Sequence, residues 1–305
     1  MGKLGQFSNA ETTWIISKLS TMNTYNRILL VLLLLLPCLL LYSQTNKIAI
    51  DLISNGNKLN ADFYKASGGD KYPTLILLHG YPGGEGDLWG LGGKLSSSGI
   101  NVLVFNFQGT WSSEGIFSFE SSMEDIASAI KFLNINDNIA RYNIDTANII
   151  VAGYSLGGAM ALTGAIYNPE IRRIISIAGA DESVFGKKML TDDSFRTMFE
   201  QMINASEFPE GPIKFDSSKY KWLSNLDRFD QVKHAESLVD RDILFIGGWQ
   251  DKDVVLEEHI LPLYRKLQEL KSDKIQICVF DTDHGFGNVR TELTNTIETW
   301  IKDKK

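Results

Sequence analysis

The residue of this chain best placed to act as a nucleophile is a serine in a glycine-rich turn. Ser155 lies in residues 153–158 (GYSLGG), after an apolar stretch and before a run with helical periodicity. A tight turn from a strand into a helix leaves no room for side chains two positions before and after the serine, and both positions are glycine. The hydroxyl would project at the helix N-terminus, where amides stabilise negative charge. The pattern predicts an activated serine.

The elements that must position this serine alternate regularly from residue 47 onward. Residues 47–65 are typical of a β-hairpin with its turn at 55–58 (NGNK). Short apolar runs, typical of strands buried on both faces, occur at 74–78, 101–107, 148–152, 171–178, 242–247 and 275–280. Helical patterns lie between them at 121–133, 156–166, 255–270 and 288–302. The chain is predicted to form a doubly wound, mostly parallel α/β sheet of about eight strands.

One connection between predicted strands is much longer than the others. Residues 181–238 separate two predicted strands and contain aromatic, amphipathic pieces at 195–203 and 220–229. Most connections in compact domains span about 4–6 residues. We interpret the segment as a small helical cap inserted over the carboxyl edge of the sheet. An extended ordinary helix with a surface loop is the alternative.

With these elements in place, the chain resembles the α/β-hydrolase fold family over nearly all of residues 47–305. The serine turn carries the resemblance, and residues 78–84 (LHGYPGG) are similar to the family's oxyanion loop. The resemblance implies that the backbone N–H groups of Tyr81 and Leu156 form an oxyanion hole. Acyl transfer needs such donors because they must already point at the oxygen that becomes charged. His79 belongs to the loop motif and is interpreted as structural.

The resemblance also implies the other two members of a catalytic triad. Residues 248–254 (GWQDKDV) resemble the family's acid turn, which selects Asp251. Residues 283–286 (DHGF) resemble its histidine loop, which selects His284. In this scheme His284 takes the proton of Ser155 and returns it to the leaving group. Asp251 holds the imidazole in the required tautomer and stabilises its charged form.

The chain contains further acids and histidines besides Asp251 and His284. Asp253 lies two residues after Asp251, and Asp181 ends the sixth strand, where some relatives place the acid. Both remain alternatives for the acid. His234 precedes a strand and His259 lies within a predicted helix. Neither histidine is therefore expected at the carboxyl edge of the sheet.

One stretch departs from the family pattern. Residues 105–115 (FNFQGTWSSEG) occupy the place where many relatives have D-x-R-G-x-G-x-S-x-G. Gln108 stands where arginine is common, and Trp111 stands where glycine is common. The arginine braces the loop in relatives, so its loss puts that bracing in doubt. Trp111 is either a pocket residue or a packed loop aromatic.

The first 44 residues are typical of an export signal. Residues 28–42 form an uncharged apolar run of about 15 residues, shorter than the ~20 that a membrane-spanning helix needs. Arg27 precedes the run, and Met22 is a second candidate start. We expect residues 1–44 to be an extension with a signal peptide, and residues 45–305 to be an exported domain, periplasmic or secreted. An uncleaved membrane anchor at residues 28–42 is the alternative.

Composition narrows the range of partners. The net charge is −7 and no basic cluster is present, which argues against a nucleic-acid partner. The two cysteines, Cys38 and Cys278, form no CxxC pair and cannot build a disulfide framework or a cysteine zinc site. The triad chemistry needs only water, so no cofactor and no metal are expected. The sequence leaves the oligomeric state open.

The expected activity follows from the branch that the motifs resemble most, namely serine esterases and serine aminopeptidase-like or dienelactone-hydrolase-like enzymes. These imply a serine hydrolase that cleaves a carboxylic ester with a small or medium acyl group through an acyl-enzyme. A peptidase or amidase on the same triad is an alternative, since the motifs do not distinguish the leaving group. A binding protein on a hydrolase scaffold is the non-enzymatic alternative.

Overall fold

A computed structural model describes residue Asn23 and residues 47–303. The chain divides into two units, Met1–Thr45 and Asn46–Lys305, and the description below concerns the second. The predicted signal peptide and its apolar run at 28–42 lie outside the described residues, as does Cys38. In the described part of the chain, no helix has both the length and the apolar character that crossing a bilayer requires.

An eight-stranded sheet forms the centre of the second unit, in the order β1-β2-β4-β3-β5-β6-β7-β8. β1 pairs antiparallel with β2, and β2 pairs antiparallel with β4. The remaining neighbours are parallel. The strands are β1 (Lys47–Ser54), β2 (Asn57–Tyr64), β3 (Tyr72–Leu78), β4 (Asn101–Phe105), β5 (Ile144–Tyr154), β6 (Arg173–Ile177), β7 (Asp242–Gly248) and β8 (Ile275–Phe280). The predicted fold class, a doubly wound and mostly parallel eight-stranded α/β sheet, is confirmed.

Helices cover both faces of this sheet. They are α1 (Leu91–Ser97), α2 (Phe119–Leu133), α3 (Asn136–Tyr142), α4 (Leu156–Tyr167), α5 (Glu182–Thr191), α6 (Asp193–Ala205), α7 (Leu256–His259), α8 (Leu261–Glu269) and α9 (Arg290–Lys302). Alternate residues of β3 face opposite sides, as the twofold period of a strand requires. Ile76 and Leu78 join the core on the side of α2, α4 and α8. Leu75 and Leu77 join the core on the side of α1 and α9.

Two predicted helices have different limits in the structure. The helix predicted at residues 255–270 is interrupted, because α7 ends at His259 and α8 begins at Leu261. Pro262 lies in the first turn of α8, where its missing N–H costs nothing, whereas inside one long helix it would break a hydrogen bond. The helix predicted from residue 288 begins at Arg290, after a short 3₁₀ turn over Gly287–Val289.

The segment interpreted as a cap, residues 181–238, contains α5, α6 and two 3₁₀ stretches, Lys221–Phe229 and Ala235–Leu238. It has an apolar cluster of its own, in which Met189, Trp222 and Phe229 are buried. Phe119 and Met123 of α2 pack against this cluster. This cluster therefore packs the segment against α2.

Candidate active site

The turn that carries Ser155 has the geometry expected from its glycines. β5 ends at Tyr154, α4 begins at Leu156, and Ser155 between them has φ 53° and ψ −117°. This is a strained conformation for a residue with a Cβ atom. A Cβ atom on Gly153 would lie 2.2 Å from backbone atoms of Gly157, and one on Gly157 would lie 2.5 Å from the Leu78 carbonyl oxygen. Close backbone approach therefore requires glycine at both positions.

Three side chains predicted from separate motifs meet at this turn. His284 Nε2 lies 3.1 Å from Ser155 Oγ, and His284 Nδ1 lies 2.7 Å from Asp251 Oδ2. Ser155 follows β5, Asp251 follows β7 and His284 follows β8. The carboxyl ends of these parallel strands lie at one edge of the sheet, which brings the three side chains together. The carboxylate of Asp251 can only accept, so the imidazole proton belongs on Nδ1 and Nε2 is left to accept from the serine.

Asp251 is held in place by backbone donors. Its side chain is 1% exposed, and its second oxygen, Oδ1, accepts hydrogen bonds from the N–H groups of Asp253 (2.9 Å) and Val254 (2.8 Å). These bonds satisfy the oxygen that does not face His284. The arrangement compensates a buried carboxylate and fixes the direction of its bond to the imidazole.

Tyr154 supports the histidine and was not predicted as a site residue. Its hydroxyl donates to the His284 carbonyl oxygen (2.9 Å), and the two rings lie 4.9 Å apart. Trp89 packs against Tyr154 at 4.7 Å, and the Arg290 guanidinium lies over the Trp89 ring. Arg290 also donates to the Gly285 carbonyl oxygen (2.5 Å). The position of Tyr154 within the serine turn was the only signal in the sequence that could have suggested this contact.

The loop after β3 lies directly against the serine. A Cβ atom on Gly80 would lie 3.1 Å from the Cβ atom of Ser155. Tyr81 and Leu156 line the same cavity as Ser155. Among the described residues, neither the Tyr81 nor the Leu156 backbone N–H donates a hydrogen bond, so both donors are available to a ligand. This is the state that an oxyanion hole needs before the substrate arrives.

His79 lies beneath this loop and does not reach the serine. Its Nδ1 lies 3.2 Å from the Gly80 carbonyl oxygen, and its ring occupies the space where a Cβ atom on Gly83 would stand. Burial lowers the pKa of His79. A neutral, enclosed imidazole in this position shapes the loop.

The alternative acids and histidines lie elsewhere or make other bonds. Asp253 is exposed, and its carboxylate makes no hydrogen bond to His284. Asp181 caps α5, accepting from the N–H groups of Ser183 (2.8 Å) and Gln231 (3.3 Å). His259 accepts from the Asp181 N–H through Nδ1 (3.1 Å), and burial lowers its pKa to about 4. His234 bonds to the Asp227 carbonyl oxygen through Nε2 (2.9 Å).

Gln108 braces its loop without the arginine common in relatives. Its backbone N–H and its side-chain amide donate to the two oxygens of the buried Asp125, at 2.8 and 2.6 Å. Its amide oxygen accepts from the Asn57 side chain (2.7 Å). Trp111 does not line the cavity, and its indole N–H donates to the Pro82 carbonyl oxygen (3.2 Å). Both residues therefore stabilise loops near the site.

A cavity of about 900 Å³ opens beside the serine. Ser155, His284, Tyr81 and Leu156 line it. The cap contributes aromatic rings from Phe185, Phe195, Phe199, Tyr220 and Trp222, and residues 117–120 and 252–255 also take part in the lining. Such a volume and lining suit an organic molecule of moderate size.

One group of side chains in the described part of the chain has a spacing that would suit a cation. It consists of Asp251, Asp253 and His284, whose ligand atoms lie within 4.8 Å of one another. Both ring nitrogens of His284 already face other partners, Asp251 and Ser155. The arrangement is therefore better suited to proton transfer than to holding a metal.

Several known proteins resemble this chain in sequence or in fold. The model of the prolyl oligopeptidase family matches residues 95–304. The protein YfhR of Salmonella typhi is 28% identical over 243 residues, which cover 76% of this chain and 73% of that protein. A proline iminopeptidase of Saccharolobus solfataricus is 24% identical over 196 residues, 60% of this chain and 58% of its own. The Pyrococcus furiosus esterase Pf2001 shares the fold, with a TM-score of 0.60, 20% identity and coverage of 84% of this chain and 91% of that structure.

Proposed function

Because the chain belongs to the prolyl oligopeptidase family and is a serine hydrolase of the α/β-hydrolase fold, we propose that Ser155, His284 and Asp251 are its catalytic triad. We propose further that it cleaves carboxylic esters through an acyl-enzyme. The observation that carries this proposal is the position of His284, hydrogen bonded to the serine on one side and to the buried aspartate on the other.

The geometry supports a two-step reaction. Ser155 Oγ attacks the ester carbonyl carbon while its proton passes to His284 Nε2, and Asp251 stabilises the imidazolium that results. The carbonyl oxygen becomes an anion between the Tyr81 and Leu156 N–H groups. His284 then gives the proton to the departing alcohol, which leaves the acyl group on the serine. A water molecule, activated by His284 in the same way, releases the acid and restores the enzyme.

The similar proteins differ in the leaving group that their names imply, an alcohol for esterases and an amine for peptidases. The esterase Pf2001 shares the fold, which supports the assignment of ester substrates. The family match and the similarity to a proline iminopeptidase favour amide cleavage as the second candidate. An alkoxide leaves more readily than an amine, so an enzyme of either kind is expected to cleave an activated ester.

A matched pair of substrates tests the proposal. We expect the full-length protein to hydrolyse 4-nitrophenyl butanoate, and to hydrolyse the 4-nitroanilide of the same acid more slowly. Ser155→Ala is expected to lower kcat by about 10⁴-fold or more, because the nucleophile is gone. Ser237→Ala, an exposed serine of the 3₁₀ stretch Ala235–Leu238, is the control and should leave kcat unchanged. Faster cleavage of the anilide would favour the peptidase. No cleavage of either by a folded protein would favour a binding role.

We also propose that the domain is exported by the apolar run at residues 28–42. The length of the run and the preceding Arg27 support this. Expression in a bacterium with a periplasm, followed by N-terminal sequencing of the protein released by osmotic shock, tests it. A mature N-terminus near residue 45 is the expected result. Recovery of the uncut chain in the membrane fraction would favour the anchor.

A further inference from the structure

A buried carboxyl group faces the cavity and takes no part in the proposed mechanism. Glu182 is the first residue of α5, is 3% exposed, and lines the same cavity as Ser155. Among the described residues, its side chain makes no hydrogen bond and no ion pair. Its oxygens are not among the unpaired polar atoms sealed inside the protein. The carboxyl therefore opens onto the cavity.

The surroundings of Glu182 offer it no compensating charge. Its neighbour Asp181 uses both oxygens to accept backbone hydrogen bonds and adds a negative charge. Burial, together with this charge, raises the pKa of Glu182 to about 8. The empty carboxyl is therefore mostly protonated near neutral pH and must release this proton when it pairs with a cation. A carboxyl left without a partner in an apolar setting is costly, and such groups are rare unless something binds them. We therefore expect the ligand to supply the hydrogen-bond partner of the Glu182 carboxyl.

The lysines that line the cavity are paired elsewhere or exposed. Arg228 also lines the cavity, and its guanidinium lies over the Tyr167 ring. Lys188 pairs with Glu258 (2.5 Å), and Lys219 pairs with Glu207 (2.7 Å). Lys221 and Lys252 are exposed to solvent, where water screens their charge. None of them contributes to the environment of Glu182. A positive charge beside Glu182 must therefore come from the substrate.

We propose that Glu182 is a specificity residue that binds a protonated primary amine of the substrate, so that the preferred substrates carry an ammonium group close to the scissile bond. This inference rests on the proposed function and names its substrate class. Glu182 and Ser155 border one cavity of about 900 Å³, so a ligand of moderate size can reach both. An ammonium supplies N–H donors to the carboxyl and a positive charge that favours its ionised form.

Matched esters test this on the full-length protein. The 2-naphthyl esters of L-phenylalanine and of 3-phenylpropanoate differ only in the amino group, which places the ammonium in the acyl part. The 4-(aminomethyl)phenyl and 4-ethylphenyl esters of 3-phenylpropanoate place it in the alcohol part. We expect the wild-type protein to favour the ammonium member of one pair by about tenfold or more in kcat/KM, since a hydrogen bond between charged groups is stronger than one between neutral groups.

Two variants separate recognition from structure. Glu182→Gln keeps the shape and is expected to remove this preference, mainly through KM, while the uncharged ester changes less than about threefold. Glu120→Gln, a carboxyl that also lines the cavity but is only half-buried, should keep the preference. Equal losses on both members of a pair would mean a structural role for Glu182. Absence of any preference in the wild type would also overturn the inference.

A binding measurement keeps this result separate from the proposed function. Calorimetry of Ser155→Ala with L-phenylalaninamide and with 3-phenylpropanamide requires no turnover. Tighter binding of the ammonium ligand, lost in the double variant with Glu182→Gln, would support the inference even if no ester were cleaved. Equal affinities for both ligands would overturn it. Failure of every ester to react, with amine binding intact, would overturn only the ester assignment.

Discussion

His284 makes the two contacts on which the proposed chemistry depends. Its Nδ1 lies 2.7 Å from Asp251 and its Nε2 lies 3.1 Å from Ser155. Tyr154 holds the backbone of the same residue by a hydrogen bond to its carbonyl oxygen. The imidazole is thus oriented from three directions before a substrate binds. Preorganisation of this kind lowers the barrier because little rearrangement is left to the reaction itself.

Matched substitutions test whether Asp251 or Asp253 is the acid of the triad. Asp251→Asn replaces the accepting oxygen beside Nδ1 with a group that can donate, which favours the wrong tautomer of His284. We expect kcat for ester hydrolysis to fall by about 10³-fold or more. Asp253→Asn is the control and should retain activity to within about threefold. A larger loss in Asp253→Asn than in Asp251→Asn, measured by steady-state kinetics, would contradict the assignment.

At the scale of elements, the loop after β4 is joined to α2 by the bonds between Gln108 and Asp125. Burial raises the pKa of Asp125 to about 6, from an ordinary value of 3.8. The folded protein therefore holds the proton of this carboxyl more tightly than the unfolded chain. Its contribution to stability is present in full below pH 3.8 and is lost as the pH rises through about 6.

This linkage predicts how Asp125→Asn compares with the wild type. The variant has no proton to lose, so the difference in the free energy of unfolding should move in favour of the variant as pH rises from 4 to 7. One pKa unit corresponds to about 1.4 kcal/mol, which bounds the change at about 3 kcal/mol. Urea unfolding at several pH values measures it. A difference in the free energy of unfolding that stays constant with pH would show that the pKa of Asp125 is not raised.

The cap contributes the aromatic wall of the cavity, and Phe199 of α6 is part of it. Removing this ring by Phe199→Ala takes contact from a large acyl group but not from the reacting carbonyl. We expect kcat/KM for 4-nitrophenyl 3-phenylpropanoate to fall about tenfold, and that for 4-nitrophenyl acetate to change little. Leu190→Ala, at an exposed position outside the cavity, should alter neither rate. Equal losses on both esters would show that the cap does not select the acyl group.

At the scale of the whole molecule, the sheet explains why the sequence predicted so much of the site. Parallel strands end at one edge, so motifs that follow β5, β7 and β8 converge although they lie up to 129 residues apart in the chain. The apolar runs marked these strands because both of their faces are buried. Glycines at positions 153 and 157 indicated the turn, because neighbouring backbone atoms lie so close to both that a Cβ atom would clash.

The features that the sequence did not reveal depend on contacts between distant segments. Glu182 has the composition of an ordinary helix start, and only its burial beside the cavity distinguishes it. The bond between Gln108 and Asp125 joins a loop to a helix, and no local pattern marks such a pair. The apolar pattern at 255–270 predicts one helix, but Pro262 cannot donate a backbone hydrogen bond inside it, so a new helix begins at Leu261. Tertiary packing decides each of these.

The central claim is that Ser155 is an activated nucleophile. A fluorophosphonate reacts with such a serine and remains attached, and intact-mass analysis of the full-length protein counts the adducts. We expect a single adduct on the wild type, mapped to Ser155, absent from Ser155→Ala and formed much more slowly in His284→Ala. A folded wild-type protein that gains no adduct, or an adduct that persists in Ser155→Ala, would contradict it.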